Sequence, residues 1–205
     1  MMKTIGSFVI LATVVDCGPV TPQSPAAPAA ASKPGYEGIV LTEWLSDGRK
    51  MKLLEDFAYV DASGKRWLAK KGSSIDGASI PRALWWSGGP YEGTYREASV
   101  VHDVYCDEDP KSATWRAVHR MFYDAMLTSG VEQARALVMY GAVFRHGPRW
   151  PDPPGTPAPA GPPPARPTKP LEEDVKEVEA VVYSGKVSTP EQVEALPPTI
   201  VPPPV

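Results

Sequence analysis

Two kinds of spacing between apolar residues divide the central part of the chain. Between residues 38 and 71, short runs in which apolar and polar residues alternate are separated by turn residues, a pattern typical of β-strands. Met51 and Leu53, for example, alternate with Lys50 and Lys52. The short loop before the last run contains Gly64, which accommodates a positive φ angle. The pattern predicts three or four antiparallel strands, at Gly38–Trp44, Arg49–Glu55, Phe57–Asp61 and Lys65–Lys71.

Beyond residue 80 the spacing becomes helical. Trp115, Val118 and Phe122 repeat at intervals of three and four residues, which places them on one face of a helix. Ser112 is the expected N-cap of this helix, and Gly130 stands where a glycine commonly follows a helix end. The short link at Gly130 predicts that the next helix packs beside it. The predicted helices are Pro81–Trp86, Gly93–Cys106, Ser112–Gly130 and Val131–Gly147.

Strands followed by helices indicate the α+β class. We expect a small N-terminal antiparallel sheet of three to four strands, followed by a packed helical subdomain of three to four helices. Of the 25 prolines, most lie near the two ends of the chain. The predicted organisation is a signal segment at residues 1–17, a Pro/Ala-rich linker at 18–35, a globular domain at 36–150 and a Pro-rich acidic tail at 151–205.

The tail contains two short helical patterns. Val175, Val178 and Val182 lie on one side of a predicted helix at Leu171–Tyr183, and Thr189 with Gln192 forms a capping-box pattern at the start of the second helix. Isolated helices of this length are marginally stable in water. We therefore expect both to fray, or to become ordered only on a partner.

The N-terminus has the pattern of an export signal. The apolar run Ile5–Val15 has eleven residues, whereas a bilayer-spanning helix needs about 20. A run of this length is typical of a signal peptide. Cys17 closes the run as in bacterial lipoproteins, although Asp16 departs from the small residue usual before that cysteine, so cleavage without lipidation is the alternative. Either reading predicts an exported protein of the cell envelope, with the virion as the alternative location.

Charge and cysteine content narrow the range of partners. Residues 36–150 carry 15 basic and 15 acidic side chains, and residues 151–205 carry 4 basic and 8 acidic ones. Because no basic stripe is present, we expect no nucleic-acid partner. A membrane contact is expected only through the N-terminal lipid or signal anchor. Cys106 is the one cysteine of the predicted globular domain, which excludes an intramolecular disulfide framework there.

Four motifs resemble a family found largely in tailed bacteriophages and prophages. They are SSIDGASIPRALWW, REASVVHDVYC, RMFYDAM and MYGAVFRHGPRW. In combination they resemble the family known as domain of unknown function 1353, over about Tyr36 to Trp150. The resemblance implies a phage-related context and no particular activity.

Five residues form the candidate metal-binding and catalytic site. A metal site is predicted from His102, His119, Asp76 and either Cys106 or Asp103, with Asp76, His102 and Asp103 as the candidate catalytic residues. One divalent metal, Zn²⁺, would activate a water for attack on an amide or ester. We found no compact motif of metal ligands, so the site depends on distant residues coming together.

Structural roles explain the same residues without catalysis. Asp76 is suited to capping its own turn, and His102 to donating a hydrogen bond to the Asp76 carboxylate and so fixing turn to helix. The His102–Asp103 doublet lacks the upstream histidine that HD-type phosphohydrolases need. Cys106 lies one helical turn from His102, as in a thiol–imidazole pair, but an interior cysteine is more often a small apolar filler.

An aromatic rim is the candidate binding surface. It comprises Trp85, Trp86, Tyr91 and Tyr95, around a glycine-containing loop. Such aromatics bind sugars or peptides, although one of the tryptophans is equally suited to the core. The sequence predicts a non-catalytic binding or assembly module for a cell-envelope or virion component. The alternative is a metal-dependent hydrolase acting on peptidoglycan-like material.

Overall fold

The computed structural model describes residues 33–76, 93–158 and 161–200. Within them six short strands precede five helices, so the predicted α+β class is confirmed. The strands are β1 (Gly35–Glu37), β2 (Thr42–Trp44), β3 (Met51–Leu53), β4 (Phe57–Val60), β5 (Arg66–Ala69) and β6 (Ser74–Ile75). The helices are α1 (Arg96–Asp107), α2 (Trp115–Thr128), α3 (Gln133–His146), α4 (Leu171–Tyr183) and α5 (Pro190–Glu194).

The strands form two antiparallel sheets of three strands each, where a single sheet was expected. The strand orders are β1–β4–β5 and β2–β3–β6. Gly38 separates β1 from β2 with a φ of +85°, and a Cβ there would lie 2.9 Å from the Asp56 carbonyl oxygen. This tight passage redirects the chain from one sheet to the other. Alternation along the sequence identifies strands, but pairing depends on contacts between residues far apart in the chain.

The loop between β4 and β5 has the predicted turn chemistry. The Asp61 carboxylate accepts hydrogen bonds from the backbone N–H groups of Ser63 and Lys65, at 2.9 and 3.0 Å. Gly64 has a φ of +82°, as predicted. These bonds join two strands whose residues Tyr59 and Trp67 face each other in register.

Helix α2 differs from the prediction at its first residue. Its N-cap is Thr114, whose hydroxyl accepts from the Ala117 N–H at 3.1 Å, while Ser112 binds the Glu108 carboxylate instead. Gly130 follows the helix with a φ of +82°, as predicted. The Glu132 carboxylate then caps α3, which packs against α2.

One continuous apolar core links the sheets to the helices. Helix α1 packs against β4, β5 and β6 on one side and against α2 on the other. Phe57, Val101 and Phe122 are essentially completely buried in this core. The position of α1 between sheet and helices places its inward residues at the centre of the molecule.

Helices α4 and α5 differ from the expectation that they fray. Val178 and Val193 are fully buried, and both adjoin Gly141 of α3, where a Cβ would lie 2.8 Å from a methyl carbon of Val178. The absence of a side chain at Gly141 therefore lets α4 approach α3 closely. The predicted capping box of Thr189 and Gln192 is present at the start of α5.

A buried ion pair also fastens α4. The Arg145 guanidinium donates to both carboxylate oxygens of Asp174, at 2.6 and 2.8 Å, and His146 contacts the same carboxylate at 2.8 Å. Arg145 also donates to the Pro197 carbonyl oxygen at 3.1 Å. The C-terminal helices thus extend the core through tertiary contacts, which the expectation for isolated helices did not include.

Some predicted features lie outside the described residues. They are the short helix Pro81–Trp86 and the signal segment at residues 1–17. Among the residues described, none of the helices combines the length and the apolar character that crossing a bilayer requires.

Candidate metal centre

His102 and Cys106 lie on the inward face of α1. They are four residues apart, so they share a face of the helix, as the sequence predicted. The Cys106 Sγ lies 3.6 Å from the His102 Nε2 and 3.9 Å from the Nδ1. This face of α1 packs against α2, so the two side chains contact residues of α2.

Helix α2 presents His119 to this pair. The His102 Nε2 lies 2.9 Å from the His119 Nδ1, and the His119 Nε2 lies 3.1 Å from the Pro148 carbonyl oxygen. Because a carbonyl only accepts, the His119 Nε2 carries the proton in a neutral ring. Its Nδ1 then offers a lone pair toward His102, whose Nε2–H donates to it.

Burial sets the charge of the three groups. His102 and His119 are both 0% exposed, and Cys106 is 9% exposed. Burial lowers the pKa of His119 to about 4 and also lowers the pKa of His102, where the neighbouring His119 adds to the effect. Burial raises the pKa of the Cys106 thiol. At neutral pH the cluster therefore consists of two neutral imidazoles and a protonated thiol.

Aromatic rings enclose the cluster. The His102 ring lies 4.7 Å from the Phe122 ring, and the His119 ring lies 5.7 Å from Trp115 and 6.2 Å from Trp150, between centroids. An apolar enclosure excludes water and strengthens any electrostatic contact inside it. The cluster is consequently a polar site in an apolar part of the interior.

The three side chains have the spacing of metal ligands. One ligand atom from each of His102, Cys106 and His119 lies within 4.8 Å of the other two. Two imidazoles and a thiolate form a donor set that Zn²⁺ accepts. We call these three residues the His–His–Cys cluster. Two of its members, His102 and His119, were predicted as ligands, and Cys106 was one of the two alternatives for a further ligand.

The two predicted carboxylates are not members of the cluster, although the charges of both help to raise the pKa of the Cys106 thiol. Asp76 lies outside the His–His–Cys cluster, and one of its carboxylate oxygens is 3.9 Å from the Arg49 guanidinium. The hydrogen-bond partners that the structure gives His102 are His119 and Cys106, so the hydrogen bond from His102 to Asp76 stays a prediction. Asp103 is buried but outside the cluster, because adjacent residues of a helix point about 100° apart.

The predicted aromatic rim is not assembled by the described residues. Tyr95 is 1% exposed and belongs to the core, with the Arg135 guanidinium 5.5 Å from its ring centre. It ends the loop and begins α1, and this inward-facing position removes it from any surface. The other predicted binding residues Trp85, Trp86 and Tyr91, and the lipidation site Cys17, lie outside the described residues.

Another apolar surface was missed by sequence reasoning. Ile39, Leu41, Trp44 and Leu54 are exposed by 64%, 38%, 61% and 36%. We call these four residues the edge patch, because Trp44 lies on the edge strand β2 and the Leu54 N–H bonds to the Leu41 carbonyl oxygen at 2.9 Å. The apolar character of these residues predicted only that they belong to strands. Whether their side chains are exposed depends on which strand lies at the edge of the sheet, and local sequence does not specify that.

An open groove begins at one end of the edge patch. Its volume is about 720 Å³, and its walls include Ile39, Val40, Arg96 and Thr128. The groove runs between the β1–β2 connection and the helices α1 and α2. It is separate from the His–His–Cys cluster, whose residues do not line it.

The fold and the cluster define an α+β domain with a buried group of imidazole and thiol donors. Residues 51–143 match the family described as Protein of unknown function (DUF1353), which confirms the resemblance seen in the motifs. The match covers this part of the chain, which is less than half of its length.

Two relatives come from Sinorhizobium fredii (strain NBRC 101917 / NGR234). Uncharacterized protein y4iH is 48% identical over 101 residues, which cover 48% of this chain and 41% of the relative. Uncharacterized protein y4jT is 44% identical over 100 residues, covering 48% of this chain and 29% of the relative. The chain thus spans less than half the length of these curated relatives. No solved structure gives a significant match.

Proposed function

We propose that this protein is an exported, phage- or prophage-related, non-catalytic assembly module of the cell envelope. In this proposal the edge patch binds an extended segment of a partner protein. The main observation in support of the proposal is that the potentially reactive residues and the large exposed apolar residues lie in different parts of the molecule. The groups suited to chemistry are buried, whereas large apolar groups are exposed along one sheet edge.

The burial of the His–His–Cys cluster favours binding over hydrolysis. A hydrolytic metal needs a coordination position that substrate can reach. His102 and His119 are 0% exposed, and their neighbours are aromatic rings. A thiol whose pKa is raised by burial is also a poor nucleophile. Both reasons weigh against the alternative of a metal-dependent hydrolase.

The edge patch has features of a surface that is covered in an assembly. Trp44 pairs with Met51 and lies on the same face of the sheet, yet Met51 is 8% exposed and Trp44 is 61% exposed. This face of the sheet is therefore buried at Met51 of β3 and largely exposed at Trp44 of β2. An exposed apolar edge strand is a template for another strand, and soluble proteins usually avoid leaving one open.

An extended protein segment suits this edge better than a glycan. Among the described residues β2 pairs only with β3, so its outer backbone groups face away from the sheet. A partner strand would run along β2 and cover Leu41 on one face and Trp44 on the other. On the face opposite Trp44, Glu43 and Lys52 pair at 3.7 Å, and alternation places Leu41 on this same face. Both alternating faces therefore specify how the partner strand is oriented.

Site-specific photo-crosslinking in cells that produce the full chain tests this proposal. A benzoylphenylalanine replaces Trp44 in one variant and Tyr183 in the control, since the two aromatic side chains are exposed by 61% and 57%. We expect light-dependent attachment to one protein, identified by mass spectrometry as an envelope or virion component, from position 44 only. The exposed substitution Leu41→Glu is expected to abolish it while leaving the circular dichroism spectrum unchanged.

Three results would overturn the proposal. Equal crosslinking from positions 44 and 183 would show no preference for the edge patch. An adduct of twice the chain mass would identify a second copy as the occupant. Sedimentation of the purified chain with purified sacculi, weakened by Trp44→Ala, would identify a glycan.

The export part of the proposal rests on the N-terminal pattern. The apolar run Ile5–Val15 followed by Cys17 supports a lipid-anchored envelope protein. In cells fed a labelled fatty acid, we expect label in the wild-type chain and none in Cys17→Ser. Equal labelling of both chains would remove the lipid anchor from the proposal, and retention in the cytoplasm would remove export.

A further inference from the structure

We propose that His102, Cys106 and His119 bind one Zn²⁺ ion inside the core as a structural centre. The ion would join α1 to α2, and the segment that follows α3 would support it through the hydrogen bond between His119 and the Pro148 carbonyl oxygen. This inference goes beyond the assembly function, because it concerns how the fold is held together and does not involve the edge patch.

The first argument is the separation of the ligand atoms. Zn–N bonds near 2.05 Å and Zn–S bonds near 2.3 Å in a tetrahedron require about 3.6 Å between nitrogen and sulfur, and about 3.3 Å between nitrogens. The distance from the Cys106 Sγ to the His102 Nε2 is 3.6 Å. The distance from the His102 Nε2 to the His119 Nδ1 is 2.9 Å. The two ring nitrogens would need to separate by about 0.4 Å, and the Cys106 and His119 ligand atoms, which lie within 4.8 Å of each other, would need to adjust to about 3.6 Å.

The second argument is the environment of His119. Histidines that bind metals usually donate their other ring N–H to a carbonyl or carboxylate, which fixes the ring orientation. The His119 Nε2–H has such an acceptor in the Pro148 carbonyl oxygen, at 3.1 Å. That acceptor is held in place by Trp150, whose indole N–H donates to the Ala113 carbonyl oxygen at 2.8 Å. The Nδ1 of His119 is thereby directed toward the position of the ion.

Glycine at position 147 makes this arrangement possible. A Cβ there would lie 3.3 Å from the Cε1 carbon of His119, and it would also collide with the Val143 carbonyl group. The chain therefore passes against the imidazole only because no side chain is present. This contact brings the Pro148 carbonyl within hydrogen-bonding distance of His119.

Binding requires two proton movements. The Cys106 thiol gives its proton to solvent, and His102 moves its ring proton from Nε2 to Nδ1, so that both directed nitrogens carry lone pairs. The resulting donor set is one thiolate and two neutral imidazoles, with a net charge of +1 including the ion. The cluster supplies three protein ligands, so the fourth position of the tetrahedron would be taken by a single water molecule enclosed with the ion and out of reach of a substrate.

Metal analysis of the full chain tests this inference. The chain is produced in zinc-supplemented medium, purified, and assayed for zinc by elemental analysis. A second sample is refolded with Co²⁺, because a Co²⁺–thiolate bond gives a charge-transfer absorption that a nitrogen-only site lacks. We expect one ion per chain in both samples, and the charge-transfer absorption in the second.

Matched variants separate this cluster from adventitious binding. Cys106→Ala is expected to lose the absorption and to weaken binding at least tenfold, whereas Cys17→Ala keeps both. His119→Gln is expected to lose the ion, whereas His146→Gln, which alters the third histidine, retains it. Tryptophan fluorescence and circular dichroism establish that each variant is folded. If His119→Gln does not fold, Cys106→Ala decides, because alanine fits the space of the thiol.

Two results would overturn the inference. A folded wild-type chain with less than a tenth of an ion after both procedures would show that His102 and His119 form only a hydrogen-bonded pair. Binding of one ion by Cys106→Ala with unchanged affinity would place the metal elsewhere. Neither result would bear on the crosslinking of the edge patch, so the two proposals fail separately.

Discussion

Gly141 provides the sharpest test of the docking of α4. Replacing a glycine in the middle of a helix by alanine normally stabilises the helix by about 1 kcal/mol. Here the new methyl group would lie 2.8 Å from a Val178 methyl carbon and 3.5 Å from one of Val193. Valine is β-branched and has one preferred rotamer in a helix, so Val178 cannot easily turn aside.

The expected magnitude follows from these opposing effects. Overpacking of a close-packed core costs about 1–3 kcal/mol. We therefore expect Gly141→Ala to lower the free energy of unfolding by about 0–2 kcal/mol in the wild-type background, after the helix gain is subtracted. Val178→Ala alone should cost about 2 kcal/mol, because Val178 is fully buried. In that background the space is open, and Gly141→Ala should stabilise the protein by about 1 kcal/mol.

Urea titrations are performed on the wild type, Gly141→Ala, Val178→Ala and the double variant, and are followed by circular dichroism and tryptophan fluorescence. They give the coupling energy between positions 141 and 178. The control pairs Gly141→Ala with Val181→Ala, a buried residue of α4 that is absent from the three nearest contacts of the new methyl group. We expect about 1–3 kcal/mol of coupling with Val178 and much less with Val181. If Gly141→Ala stabilises every background by the same amount, α4 does not lie on Gly141 and the reasoning is refuted.

Three further predictions concern the buried polar and aromatic residues. Arg145→Met should lower the free energy of unfolding by about 3–5 kcal/mol, because it leaves the buried Asp174 carboxylate with His146 in place of its guanidinium partner. A loss below about 1 kcal/mol in urea titrations would contradict the buried pair. Burial raises the pKa of Asp174, but hydrogen bonds from Arg145 and His146 outweigh it and lower the pKa below 3.8, so the carboxylate adds stability above pH 3.8 that is lost as the pH falls through its folded value. Urea titrations between pH 7 and pH 2 should therefore show the wild type losing stability in acid and the deficit of Arg145→Met shrinking there, and a constant deficit would contradict this assignment. Tyr95→Ala should cost about 3–5 kcal/mol, since the ring is 1% exposed in the core, and a change below about 1 kcal/mol in thermal or urea unfolding would instead return Tyr95 to the surface.

The candidate site was predictable from sequence only as far as local spacing reaches. His102 and Cys106 are four residues apart on a strongly periodic helix, so their shared face follows from helix geometry. The sequence also predicted His119 as a ligand, but its contact with His102 depends on how α2 packs against α1. Asp76 did not join them, because its position follows from the pairing of β6 with β3, and no local pattern specifies that pairing.

The edge patch and Tyr95 show that the exposure of an apolar residue is also not predictable from local sequence. Both consist of apolar or aromatic residues, and composition alone assigned Tyr95 to a surface and the runs containing Leu41 and Trp44 to an ordinary strand. Burial is decided by what packs against a residue. Tyr95 precedes α1 and packs into the core, whereas β2 is an outer strand of its sheet among the residues that the structure describes.

By itself the sequence determined the features that local chemistry controls. The alternation of apolar residues, the glycines suited to positive φ angles and the capping box at Thr189 specified strands, turns and helix ends, because each acts through neighbours in the chain. Tertiary structure alone decided the division into two sheets, the docking of α4 through Gly141 and the meeting of His102 with His119. Each of these depends on contacts between segments far apart in sequence, whose free energy becomes available only when the whole core assembles.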